Sequence, residues 1–152
     1  MRKLFALMLM VIFTCGILSG CGPSDFQLSM YDAEDKVLMA ADSYFYGKNK
    51  KTVTDDRYEA SFTEFTGADT LWDSLNDPAD GEFTISGTVS VTEGGFRLIL
   101  VSEGGVEIFF DAADGSDSFS ITRDLSAGRW RIKMLAKEAS GSIDITLPGT
   151  PS

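Results

Sequence analysis

The chain contains no histidine. That absence excludes Ser-His-Asp catalysis, histidine-ligated zinc and the commonest general base near neutral pH. Cysteine is almost as scarce: the two are Cys15 and Cys21, both close to the N-terminus. The chain beyond them has no disulfide, no thiolate nucleophile and no thiolate metal site. No Gly-x-x-x-x-Gly-Lys-Ser/Thr loop is present to cradle a phosphate. Cationic residues are few, 13 Lys and Arg against 23 Asp and Glu, and a net charge of −10 argues against nucleic acid as a partner. So many acids offer chance carboxylate pairs, so their number says nothing about glycosidase chemistry. From these absences we expect a protein that is not an enzyme and carries no cofactor.

What is present begins with an address. Arg2 and Lys3 precede an almost wholly apolar run from Leu4 to Leu18. The run is short for a membrane span and ends in small residues before a polar chain, as a signal peptide does. Its end, Leu18-Ser19-Gly20-Cys21, resembles the lipobox of bacterial lipoproteins. That resemblance implies that the Cys21 thiol receives a diacylglycerol and becomes the first residue of the mature chain. It also implies a lipid-anchored protein on the extracytoplasmic face of the cell membrane, since two or three acyl chains give stable anchoring. Removing residues 1–20 takes away Arg2 and Lys3, so the mature chain would carry 11 cations against 23 acids, a net charge of −12. An anionic surface of this kind keeps a domain soluble and off anionic lipid. We divide the chain into a signal peptide (1–20), a tether (21–30) rich in turn formers, and one domain (31–152).

The domain is organised around residues 83–147, where apolar and polar side chains alternate. From Phe83 through Ile85, Gly87, Val89 and Val91, every odd position is apolar or Gly and every even one is Ser or Thr. Period two marks a strand with one buried face. The pattern returns at Phe96/Leu98/Leu100, Val106/Ile108/Phe110, Phe119/Ile121, Trp130/Ile132/Met134 and Ile143/Ile145/Leu147. Gly-containing stretches at 93–95, 103–105, 114–116, 127–128 and 140–141 read as the turns between them. Strands at this spacing predict an all-β fold: a single antiparallel β-sandwich, jelly-roll-like, of about eight strands.

Upstream, Thr52-Val53-Thr54, Asp55-Asp56 and residues 57–62 read as a hairpin with Tyr58, Ala60 and Phe62 on one face. Phe65 breaks that alternation and suggests a bulge near Glu64. Residues 70–72 read as a further short strand and 75–80 as a loop. Residues 31–46 fit two readings, a helix with Val37, Leu38, Ala41 and Phe45 at helical spacing, or a short strand at 37–39; we lean to the strand. The strands at 96–101 and 106–111 are apolar on both parities, because Ile99, Val101 and Phe109 oppose the set Phe96, Leu98, Leu100, Val106, Ile108 and Phe110. Something must cover that second face, and the N-terminal half of the domain is the expected cover, with Tyr58, Ala60, Phe62 and Trp72 as its partners.

Several of these segments together resemble a group of small, uncharacterised bacterial lipoproteins frequent in Gram-positive anaerobes. They are the lipobox, Tyr58-Glu59-Ala60-Ser61-Phe62 leading to Phe65-Thr66-Gly67, the strand at 83–91, and the tail Gly128-Arg129-Trp130-Arg131-Ile132-Lys133 with Ala139-Ser140-Gly141-Ser142-Ile143. The likeness spans about residues 58–147. It implies a β-sandwich in the C-terminal half and no particular activity.

Three groups of residues are candidate sites. Tyr44 and Tyr46 share a parity opposite to Phe45 and offer aromatic faces for a sugar or other solute, although packing against the sheet is the simpler reading. Arg129, Arg131 and Lys133 form a basic stripe able to grip an anionic ligand; cross-strand pairing with acids is the simpler reading there. Asp111, Asp114 and Asp117 flank a turn and would suit calcium, against the simpler reading of an acidic hairpin turn. Trp130, in register with Ile132 and Met134, reads as core. Two functional classes follow: a glycan- or solute-binding module, or an interaction protein joining partners in the cell envelope.

Overall fold

The computed structural model describes residues 22–39, 41–74, 81–115, 117–125 and 128–147. Cys21, the signal peptide expected at 1–20 and the loop expected at 75–80 lie outside the described residues. The strand-rich expectation holds: the described residues form one antiparallel sheet of seven strands.

Three long strands make its centre. Strand β7 (Arg131–Thr146) lies between β3 (Arg57–Asp73) and β4 (Gly81–Ser102). Two short strands, β1 (Ser43–Phe45) and β2 (Lys48–Val53), pair end to end along the outer edge of β3. Two more, β5 (Gly105–Asp111) and β6 (Ser118–Leu125), pair along the outer edge of β4.

The long strands are unbroken where turns were expected. Residues 93–95 and 140–141 do not reverse the chain; they are register slips within β4 and opposite it in β7. The bulge expected near Glu64 is present, between Phe62 and Phe65 of β3. These irregularities lie level with one another, and each holds a residue at positive φ: Glu64 (53°), Glu138 (53°) and Gly94 (77°). Gly is required at 94, where a Cβ would collide with the Glu138 carbonyl. Bulges bend strands, so the sheet folds along this line and becomes two leaves of a sandwich. Six expected strands thus merge into three, 57–62 with 70–72, 83–91 with 96–101 and 130–134 with 143–147.

The first leaf contains β2, residues 57–62, 140–146 and 81–91, and β6. The second contains β1, residues 65–73, 131–139 and 95–102, and β5. Their inner faces share one core. Phe62 of the first leaf stacks on Phe96 of the second with ring centres 5.5 Å apart, and Trp72 meets Phe83 at 6.2 Å. Around them Ile85, Val89, Ile143 and Ile145 oppose Leu98, Leu100, Ile132 and Met134, all buried. Each large side chain contributes about 1.5–3 kcal/mol by leaving water. Trp130 packs against this core half-buried, in line with its register.

The outer face of the second leaf carries a separate apolar cluster of Ala68, Ile99, Val101 and Leu135. It is covered by Met30 and Val37, from helices α1 (Asp25–Met30) and α2 (Glu34–Met39). The N-terminal half is therefore the cover, as expected, but two readings need correction. Residues 34–39 are helix, not strand, and Val37 reaches the cluster from that helix. The region read as a tether contains α1, whose start is fixed by a capping box: Ser24 Oγ accepts from the Gln27 amide (3.3 Å) and Gln27 Oε1 from the Ser24 amide (2.9 Å). Tyr58, Ala60, Phe62 and Trp72, expected as the cover, belong to the inner core instead.

A register slip between Leu98 and Ile99 also reorders β5. Val101 pairs with Val106 and Ile99 with Ile108, so these lie on the helix side, while Phe110 opposite Leu98 faces the core. Phe109 turns toward the main core and Ile108 is left 43% exposed, the reverse of the simple parity reading.

Candidate functional site

Among the described residues, nothing covers the outer face of the first leaf. Strict alternation has placed small polar residues there in cross-strand rows. Lys50, Ser61, Ser142 and Ser90 form one row, and Thr52, Glu59, Asp144 and Thr88 the next. Together with Asp117 at the start of β6 they line a shallow trough of about 460 Å³. Four strands at about 4.8 Å spacing make it roughly 15 Å wide. Its surface is hydroxyl-rich and carries both charge signs. Arg57, beside it, donates to both carboxylate oxygens of Asp144 at 2.7 and 2.5 Å, and this bidentate pair holds the Asp144 carboxyl below the usual carboxylate range. Such a floor can exchange many hydrogen bonds with a polar ligand but has no aromatic platform.

The basic stripe is elsewhere, on the helix side of the second leaf. Arg129 forks onto Asp73 at 3.0 and 2.6 Å, and Arg131 donates to the Leu38 carbonyl at 3.5 Å. Lys133 is fully buried and donates from Nζ to Asp42 Oδ1 at 2.9 Å, an oxygen that also accepts from Thr70 at 2.7 Å. Burial pushes the Asp42 carboxyl up, but the bonds from Lys133 and Thr70 outweigh it and leave it below its ordinary value. Each of the three cations thus has a partner within the chain.

Of the three turn acids, the Asp114 side chain lies outside the described residues, and Asp111 and Asp117 are engaged separately. Asp111 Oδ2 accepts from Arg97 Nε at 2.7 Å, and its Oδ1 caps the 3-10 turn Ala112–Asp114 through the Ala113 amide. Asp117 lies at the trough, where its carbonyl accepts from the Val89 amide. Among the described residues no group of three or more His, Cys, Asp or Glu side chains is placed to hold a metal ion.

Tyr44 and Tyr46 do come together, at the β1–β2 edge, with ring centres 5.3 Å apart. Tyr44 is 44% exposed; Tyr46 stacks on Phe65 at 4.5 Å and donates its hydroxyl to Asp69 Oδ2 at 2.9 Å. Burial pushes the Asp69 carboxyl up from its ordinary value despite that bond. Burial and the nearby Asp69 charge likewise raise Tyr46. Neither Asp69 nor the neighbouring Tyr58, which the sequence marks only as a packing residue of its strand, is among the sequence's candidate site residues. The signal for Asp69 was present: an acid at the parity of Leu71, a core residue of the same strand.

Compared with family models, with curated proteins and with solved structures, this chain matches none. Among the described residues no helix is long and apolar enough to cross a membrane.

Proposed function

We propose that this protein is a lipid-anchored extracytoplasmic lipoprotein whose β-domain is a ligand-binding module, with the trough on the first leaf as the site for a polar, hydroxyl-rich solute or glycan. The observation that supports it is the asymmetry of the sandwich. One outer face is covered by the chain's own helices, and the other is a concave, polar surface that no described residue covers. The anchor rests on Leu18-Ser19-Gly20-Cys21 alone. No catalytic role is proposed.

An interaction role in an envelope assembly is the second reading, supported by β2, whose six residues are all exposed and which among the described residues pairs only with β3. Lys48, Lys50 and Lys51 stud that edge, however, and charge of this kind discourages strand addition.

The full chain, expressed in a bacterium with a fatty-acid analogue, should be labelled, and Cys21→Ala should not; equal labelling would refute the anchor. Soluble cell-envelope glycan fragments should raise the melting temperature of the wild type and leave Ser142→Arg, which fills the trough without touching the core, unmoved. Fragments that stabilise neither protein, or both equally, would refute the trough as the site.

A further inference from the structure

The two edges of the sandwich are built differently. At the β5–β6 edge the leaves are closed. Phe119 sits against Phe109 and Phe110 with ring centres 5.5 and 5.6 Å away, and Arg123 of β6 is ion-paired with Glu107 of β5. At the β1–β2 edge the leaves meet through Tyr46, whose ring lies 6.5 Å from Phe62 and 4.5 Å from Phe65, but among the described residues no ion pair ties β1 to β2. Asn49, Lys51 and Val53, which pair with the core residues Phe62, Ala60 and Tyr58 and so share their inner face, are all exposed, Val53 to 52%.

Just inside this open edge are groups that an apolar interior does not normally leave incomplete. Asp69 is a buried carboxylate, 5% exposed, with no ion-pair partner within 4 Å among the described residues; Lys51 acts on it only at longer range. Tyr46 occupies one of its two oxygens. The Tyr58 hydroxyl is buried and has no hydrogen-bond partner among the described residues. An unpartnered buried hydroxyl and an unpaired buried carboxylate each cost free energy unless something completes them. Tyr44 and Tyr46 add two electron-rich ring faces at the same place. A carboxylate, a free hydroxyl oxygen and aromatic faces are together complementary to a cation that can donate several hydrogen bonds.

We propose that the open β1–β2 edge is a binding site for a primary ammonium group, which donates to Asp69 and to the Tyr58 hydroxyl and rests against the Tyr44 and Tyr46 rings. A quaternary ammonium would satisfy the rings and the charge but leave Tyr58 without a partner. An anion would meet Asp69 at close range. The site lies on the inner side of β2 and β3, opposite the trough, so it stands or falls independently of ligand binding there.

A primary ammonium can arrive as a free diamine or as a lysine side chain of another protein, and two probes separate these sources. The full chain is titrated with 1,5-diaminopentane and with a capped lysine amide, reading the tyrosine ring resonances by NMR. Both probes should shift Tyr44 and Tyr46. A preference of about tenfold (about 1.4 kcal/mol) for one names the source. The Nε-acetylated lysine amide, neutral and of similar length, should shift nothing. Asp69→Asn and Tyr58→Phe should remain folded, as judged by melting temperature, and weaken binding by at least about tenfold and a few-fold respectively. The proposal is overturned if neither amine moves the tyrosine signals, if the acetylated compound binds equally, or if a folded Asp69→Asn binds as the wild type does.

Discussion

Removing either member of the Lys133–Asp42 pair should have very different consequences, although the same bond is lost. Lys133 is fully buried in β7 under the helix layer, whereas the Asp42 side chain retains 31% of its exposure. Asp42→Ala strands an ammonium group away from water. Breaking a buried pair in this sense costs about 3–5 kcal/mol, because the remaining charge loses its ion-pair partner. Lys133→Met leaves Asp42 with its bond from Thr70 and access to solvent, and fills the same space with an apolar chain. That change should fall within about 1 kcal/mol of the wild type, in either direction. At about 4 °C per kcal/mol for a domain of this size, Asp42→Ala should lower the melting temperature by about 12–20 °C and Lys133→Met by no more than about 4 °C. The double variant should resemble Lys133→Met, since the carboxylate matters only while the buried ammonium is there. Thermal unfolding followed by circular dichroism, with urea titration to check that the m-value is constant, measures all three. If Lys133→Met were as damaging as Asp42→Ala, or the two losses simply added, Lys133 would not be a stranded charge and the reasoning would fail.

Two further outcomes follow from the packing and the titration behaviour. Ile99→Ala, beneath the helices, should cost about 2–5 kcal/mol, whereas Ile108→Ala, one position away from its expected face and 43% exposed, should stay within about 0.5 kcal/mol; similar losses at both would mean that the register slip in β5 is wrong. Burial raises Asp69 above its unfolded value, so its protonated form favours the fold: that contribution is complete below the unfolded carboxylate pKa and is lost as pH rises through the raised folded value. Asp69→Asn should therefore gain stability relative to the wild type at neutral pH and show no gain at acidic pH, whereas a difference that is independent of pH would contradict a raised Asp69.

What sequence could show about this fold was whatever repeats within a few residues. Alternation at 83–91, 96–101 and 143–147 identified the strands and their buried parity, and the odd step at Phe65 identified a bulge. The Gly-Gly at 94–95 and the Ser-Gly at 140–141 were ambiguous for a physical reason: glycine serves a hairpin turn and a bulge equally well, and the choice depends on a partner strand more than forty residues away. The helices escaped because each has only six residues, less than two turns, too few for a helical period to show. The fate of the basic stripe was equally non-local. Lys133 meets Asp42, and Arg129 meets Asp73, across 91 and 56 positions of sequence.

These non-local features also set how the two candidate binding surfaces stand to the proposed anchor. Helix α1 begins at Asp25, four residues after Cys21, and α1 and α2 lie on the outer face of the second leaf. Four residues span at most about 14 Å, so a lipidated Cys21 would hold this helix layer close to the bilayer. The first leaf then lies beyond the core, about 10 Å further out, with its Ser/Thr trough facing away from the membrane. The Tyr58–Asp69 edge, which opens between the leaves, would face sideways along the surface. The acids of α2, Glu34 and Asp35, would on that proposal lie on the layer nearest the lipid and hold the domain off anionic headgroups, leaving the acyl chains as the attachment and both sites open to solvent.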